Sequence, residues 1–322
     1  MPDPFMDFDS RDREAIRAWG QSLEHDVSAV LLTSIDARSL QLGRFCEYLT
    51  SLVPRCHFDR KNASESAPPC ITVGTRQWVY AVPTGGELEP FLAMLAEGTL
   101  ERPEQALAPA EPKYRLRIYV APTCPHCPRV LGTLVSHLAA CPEFSLEVVD
   151  ATLFGDLADQ DRISSVPTLI LNRRLRMIGA LEPRDVREFV GPVGKYSSRL
   201  FSRLLEAGNL DSLAHALHED CEAPPALADL LSDSTFSVRL AAMTLVEKLA
   251  DMDHRLAERL AEPLWERFGS SIDSIRGDLL YMIGRVGTLH DVPRLQEIVG
   301  SAAVDDVLDA AQEAIEGLTR TE

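Results

Sequence analysis

Long apolar runs are missing from this 322-residue chain: no stretch of eighteen apolar residues occurs that would span a bilayer as a helix. The opening Met1-Pro-Asp-Pro-Phe-Met-Asp-Phe-Asp9 has no basic segment followed by an apolar one, so a cytoplasmic location is expected. Basic side chains are few, with 32 Lys plus Arg against 49 Asp plus Glu and a formal charge of −17. Such a surface repels phosphate backbones, which argues against nucleic acid as a partner. The acidic excess is uneven, since residues 201–322 hold 23 acidic and 10 basic side chains. Cysteine is also scarce and odd in number, seven in all. In a reducing compartment that count excludes a framework of structural disulfides. A close cysteine pair there points to redox or metal chemistry instead.

What is present is an ordinary globular composition, 45% hydrophobic and 25% charged, over a length that suits two or three domains. Ala106 to Pro112 reads as a linker, and Gly191-Pro-Val-Gly194 as a second break. Between them, strands at Leu116–Val120 and Phe144–Val149 alternate with a helical stretch that opens at the Thr123–Pro128 segment and runs to about Ala140, and with a helix at Asp156–Asp161. A hairpin follows at Pro167–Leu171 and Leu175–Ile178, then a helix from Pro183 to Val190. That order, β-α-β-α-β-β-α, calls for a mixed sheet flanked by helices. The first hundred residues repeat the layout, with a strand at Val27–Leu32, a helix at Ala37–Leu52 and a strand at Pro69–Val73. Leu88-Glu89-Pro90 recurs as Leu181-Glu182-Pro183, 93 positions on, and an internal duplication is expected. Beyond Tyr196 the apolar spacing turns helical. Anchor positions Val238, Ile275 and Val307 stand 37 and 32 residues apart, the period of a helical solenoid.

Cys124-Pro-His-Cys127 is the strongest chemical signal. Two cysteines three apart, opening a helix after a buried strand, place both sulfurs at unpaired backbone N–H groups and the positive end of the helix dipole. That setting lowers a thiol's pKa below about 8.5 and favours the thiolate that attacks disulfides. Pro125 suits the first helical position, where its missing N–H is not needed. His126 would add support to the thiolate, and Pro128 predicts an irregular helix start. A zinc reading needs Cys124, Cys127, His137 and Cys141 together. Were 125–140 one helix, His137 would lie about 15 Å along the axis from Cys127, and the zinc and helix readings exclude each other. No metal and no bound cofactor are expected. Cys46, Cys56, Cys70, Cys141 and Cys221 read as small buried hydrophobes.

These features resemble the thioredoxin fold over residues 112–192, with Val166-Pro167-Thr168 matching the family's cis-proline loop. The resemblance implies that Cys124 is the nucleophile, that Cys127 resolves the mixed disulfide, and that a cis Pro167 leaves the Val166 backbone open to an extended substrate chain. The chain is more closely similar to tandem, glutaredoxin-like protein disulfide oxidoreductases and to the N-terminal domain of the alkyl hydroperoxide reductase flavoprotein subunit. The expected architecture is α/β plus all-α: a degenerate thioredoxin-like domain over 1–105, an active one over 112–192, and HEAT-like helical repeats over 196–322. In the first unit Asp36 and Ser39 stand where the second has its cysteines, and Pro69 takes the cis-proline position. Ile118 stands six residues before Cys124, where thioredoxin carries a proton-accepting acid, so another group must serve. No Gly-x-Gly-x-x-Gly follows a strand, so no flavin or nicotinamide domain is present and electrons must come from a separate reductase or thiol pool.

The function so implied is thiol–disulfide exchange that reduces a partner protein's disulfide, by analogy on a peroxiredoxin-like enzyme, with the helical repeats as a docking surface. A helical-repeat adaptor whose thioredoxin-like half is a binding or redox-sensing module is the alternative. The residues leave oligomeric state open.

Overall fold

The computed structural model describes residues 9–74, 77–98, 112, 114–139, 141, 143–179, 181–191, 195–219, 225–301 and 303–320. Most of both expected breaks (106–111 and 192–194) and Cys221 lie outside these residues. The chain forms two compact units, Met1–Arg187 and Glu188–Glu322, the first α/β and the second all-α. Among the described residues, no helix is long and apolar enough to cross a membrane.

The first unit runs α1 (Ser10–Ser22), β1 (Val27–Thr33), α2 (Arg38–Leu52), β2 (Cys56–Asn62), β3 (Cys70–Val73), β4 (Gln77–Tyr80) and α3 (Leu88–Gly98). It continues with β5 (Tyr114–Val120), α4 (Cys127–Leu138), β6 (Phe144–Asp150), α5 (Gly155–Gln160), β7 (Thr168–Leu171) and β8 (Leu175–Ile178). Helix α6 (Pro183–Phe189) crosses into the second unit. The eight strands form one sheet in the order β2-β1-β3-β4-β6-β5-β7-β8. Each half repeats the other. In both, the first strand pairs parallel with the second and antiparallel with the third, which pairs antiparallel with the fourth. The halves join where β4 runs parallel to β6, Gln77 opposite Leu146 through Tyr80 opposite Val149. Strands buried on both faces read as apolar runs, and β7 (Thr-Leu-Ile-Leu) is buried at every position.

The second unit contains α7 (Ser198–Glu206), α8 (Leu210–Glu219), α9 (Ala226–Leu231), α10 (Phe236–Met252), α11 (His254–Glu258), α12 (Ala261–Phe268), α13 (Asp273–Val286), α14 (Val292–Val299) and α15 (Asp305–Arg320). The apolar stripe from Leu230 to Leu249, continuous in sequence, is broken in space. Ser232 to Thr235 separate α9 from α10, and the Asp233 carboxylate accepts the Thr235 N–H at 2.7 Å. Helices α13 and α15 approach through glycine, since a Cβ on Gly317 would lie 3.2 Å from the Gly284 carbonyl oxygen. Arg239 of α10 is buried and donates to Asp278 of α13 at 2.7 Å and to the Asp233 carbonyl at 2.8 Å.

Removing Asp278 would strand that guanidinium without its counter-charge. Asp278→Ala is expected to cost about 2–3 kcal/mol, read as a lower midpoint of urea unfolding; an unchanged midpoint would deny Arg239 this role.

Candidate active site

The redox pair sits where strand β5 hands over to helix α4. After Val120 the chain turns, the Cys124 N–H bonding the Ala121 carbonyl at 2.9 Å. Helix α4 then begins at Cys127, two residues later than a start at Pro125 would give, with His126 as N-cap. The reason is Pro128. In a helix opened at Pro125 it would forfeit the first intrahelical bond and clash with the carbonyl four residues back. Starting at Cys127 puts Pro128 in the first turn, where no N–H is missed. The first intrahelical bond is accordingly Val130 N–H to the His126 carbonyl, at 3.3 Å.

Cys124 and Cys127 form a disulfide, their Cα atoms 5.5 Å apart. Cys124 is half-buried and Cys127 has no exposed surface. The Cys127 N–H points at the Cys124 sulfur, 3.1 Å away. Of the two, only Cys124 is open to attack or to attacking. Its sulfur also lies 3.7 Å from the Val166 carbonyl oxygen. Val166–Pro167 is a cis peptide bond, with Pro167 buried and Val166 half-buried. The fold thus brings Cys124, Cys127, Val166 and Pro167 together from two segments forty residues apart. His126 is exposed, and its side chain makes no capping hydrogen bond to the helix. His137 lies in the last turn of α4, at the far end of one continuous helix. Its distance along the axis from Cys127 is about 15 Å, too far to share a metal ion with that thiol.

Pro122, Thr123, Pro125, Ser164 and Ser165 are exposed around Cys124. Pro122 also lines an open cleft of about 630 Å³, with Leu40, Val82 and Leu153 among others.

In the first half the counterpart of this site is a clamp. Ser39, buried at the start of α2, bonds the Ser34 carbonyl at 3.0 Å. Asp36 binds Arg38, which reaches across to Asp156 and stacks 4.2 Å above the Phe154 ring. Those ion pairs hold both carboxyls below the usual carboxylate range. Pro69, placed at the cis-proline position by the sequence, follows a trans bond; among the described residues the cis peptide is Val166–Pro167 alone.

Cys46, Cys56 and Cys70 are buried, as expected of small hydrophobes. Burial pushes Cys56 up to about 12 and Cys70 up to about 11, and raises Cys46 further still, with the neighbouring Cys56 adding to it. None is a thiolate near neutral pH. Cys141 is half-buried.

One acidic group escaped the sequence reading. Glu87 closes a 3-10 turn (Gly85–Glu87) between β4 and α3 and is 3% exposed. With Val79, Ala81, Phe91, Met94, Leu131 and Val148 it lines a small void. Leu131 lies one helical turn below Cys127 on α4, and Val148 is the strand neighbour of Ile118. Glu87, from the first half of the sheet, thus lines a void with Leu131 of α4 and Val148, the strand neighbour of Ile118. Among the described residues, Glu87 Oε1 has no hydrogen-bond partner. Burial, and secondarily the charge of Asp150, pushes its carboxyl up to about 8. Nothing in its sequence context sets Glu87 apart from the solvated acids around it.

Residues 114–191 match the family model of a thioredoxin domain. The thioredoxin domain so matched holds every site residue except Glu87. Among solved structures, the N-terminal domain of alkylhydroperoxide reductase AhpF from Enterococcus faecalis is 20% identical, with 57% of this chain aligned to all of that one at a TM-score of 0.48. A protein disulfide oxidoreductase from Aeropyrum pernix is 15% identical over 57% of this chain and 93% of its own, TM-score 0.46. Sso1120 from Sulfolobus solfataricus is 21% identical over 52% and 99%, TM-score 0.36. No curated protein matches the chain.

The raised carboxyl has a consequence for stability. Glu87 keeps its proton in the folded chain up to about pH 8 but loses it near its ordinary value when unfolded. The folded state therefore binds the extra proton between those values, and the contribution of Glu87 to stability falls as pH rises from about 4.5 to 8. The unfolding free energy of wild type relative to Glu87→Gln should drop by a few kcal/mol across that window. A difference that stays flat with pH would show the carboxyl to be solvated.

Proposed function

We propose that this protein is a thiol–disulfide oxidoreductase that reduces a disulfide of a partner protein through Cys124 and Cys127. The observation that carries the reading is the Cys124 sulfur: half-exposed, met by the Cys127 N–H at 3.1 Å, and beside the Val166 carbonyl and cis Pro167. A backbone donor aimed at that atom favours its ionised form, and so does the helix end behind it.

In the dithiol state the Cys124 thiolate attacks one sulfur of the partner's disulfide. A Cys124–partner bond forms, and the partner's other sulfur leaves as a thiolate that takes a proton from water. Cys127 then gives up its proton and attacks the Cys124 sulfur, and the second partner sulfur is expelled as a thiol. The partner gains two electrons and two protons, and the chain is left as the Cys124–Cys127 disulfide. Two electrons from a separate reductase or a thiol pool restore the dithiol, with no resident cofactor. Glu87, in its ionised fraction near neutrality, is the group to take the Cys127 proton and pass it to the departing partner sulfur, because it lines a small void with Leu131, one turn from Cys127 on α4. An extended stretch of the partner would pair along the Val166 backbone. A cytosolic setting, which keeps such pairs reduced, gives the reductase direction. The helical unit, read as HEAT-like repeats, is the docking surface for the partner, and a peroxiredoxin-like protein fits the chemistry.

Insulin reduction measures the core of this reading: wild type should turn over, and Cys124→Ser should fall to background, whereas equal rates would overturn it. Cys127→Ser should hold the partner as a mixed disulfide that reductant releases. Glu87→Gln should slow turnover by roughly 10²-fold, the usual contribution of a positioned acid or base, while alkylation of Cys124 stays near the wild-type rate.

A further inference from the structure

The turn that carries Glu87 also bears on the redox helix itself. Gly85 adopts a left-handed conformation (φ +56°), and its N–H is held by the buried Asp12 carboxylate of α1 at 3.1 Å. Gly86 follows, without a left-handed backbone of its own. It is small for a different reason: a methyl group there would overlap the Pro128 ring at Cγ and stand 3.1 Å from its Cβ. Pro128 directly follows Cys127 in the first turn of α4. A proline ring cannot swing aside as a long side chain would, because its φ is fixed by the ring. Relief would have to come from the backbone at the start of α4.

We propose that Gly86, in the half of the sheet that lacks a cysteine pair, is a positioning residue for the redox pair. Its missing side chain sets how far the start of α4 descends onto the sheet, and with it where the Cys127 sulfur and N–H lie relative to Cys124 and Glu87. Asp12 anchors the turn from behind, so the half without the Cys-x-x-Cys pair controls the balance between dithiol and disulfide in the other half. The inference rests on the dithiol–disulfide reading above and extends it to what tunes the pair.

A double-mutant cycle on the full chain tests it, with the equilibrium constant for exchange with glutathione as the readout. Gly86→Ala pushes against the ring, and Pro128→Ala removes it. Each single change is expected to shift the constant by about tenfold, which is about 30 mV for a two-electron couple. In the double variant the new methyl fills the space the ring vacates, and the constant should return to within about threefold of wild type. Shifts that add in the double variant, or singles that match wild type, would overturn the inference. Should Gly86→Ala fail to fold, Pro128→Ala alone decides: a shifted constant supports the contact and an unchanged one removes it. A wild-type pair that does not exchange with glutathione would overturn the dithiol reading and this inference with it, whereas normal exchange without coupling would overturn this inference alone.

Discussion

The parallel pairing of β4 with β6 is the constraint from which the site follows. It welds two four-stranded sheets of the same design into one, edge to edge. Because Tyr80 stands opposite Val149, the chain leaving β4 emerges beside the end of β6. The next turn then has nowhere to go but under the neighbouring half's helix α4. That places Gly86 on Pro128 and Glu87 beneath Leu131. Without the weld, the edges of β4 and β6 would be unpaired strands, and Glu87 would be one more solvated acid.

One physical effect, removal from water, acts with opposite results on the ionisable groups of this unit. It makes the Cys46, Cys56 and Cys70 thiols inert by raising them beyond reach of neutral pH. It raises the Glu87 carboxyl to about 8. Cys124 lies outside that regime. It is half-exposed, joined to Cys127 in the disulfide, and met by the Cys127 N–H. The division of labour between the two redox cysteines is likewise one of access, since Cys127 has no exposed surface.

The half without the Cys-x-x-Cys pair has, at the corresponding loop, a set of hydrogen bonds and ion pairs. Where the second half has Cys124 and Cys127, the first has Asp36 and Ser39, tied by hydrogen bonds to Arg38 and Ser34. Arg38 extends the tie to Asp156 and the Phe154 ring, both in the loop and helix after β6. A charged group packed on an aromatic face and shared by two carboxylates is held more firmly than a solvated pair. These contacts thereby tie the first half to the second.

The duplicated layout, the Cys124–Cys127 pair and the Val166-Pro167 loop were legible along the chain, because each is carried by local pattern: apolar runs, a helix-opening cysteine pair, an X-Pro dipeptide. The start of α4 was misplaced by two residues, since Pro125 and Pro128 each suit a first turn and only the bond lost four residues back separates them. The split between α9 and α10 was hidden because Ser232 to Thr235 do not interrupt the apolar spacing. By itself, then, the sequence determined the two kinds of fold and the pair of sulfurs that come together at the start of α4. Tertiary structure alone decided that the two sheets are one, and which of 49 acidic residues is buried beneath α4. Burial and proton affinity depend on neighbours distant in the chain, and residue type and spacing do not encode them.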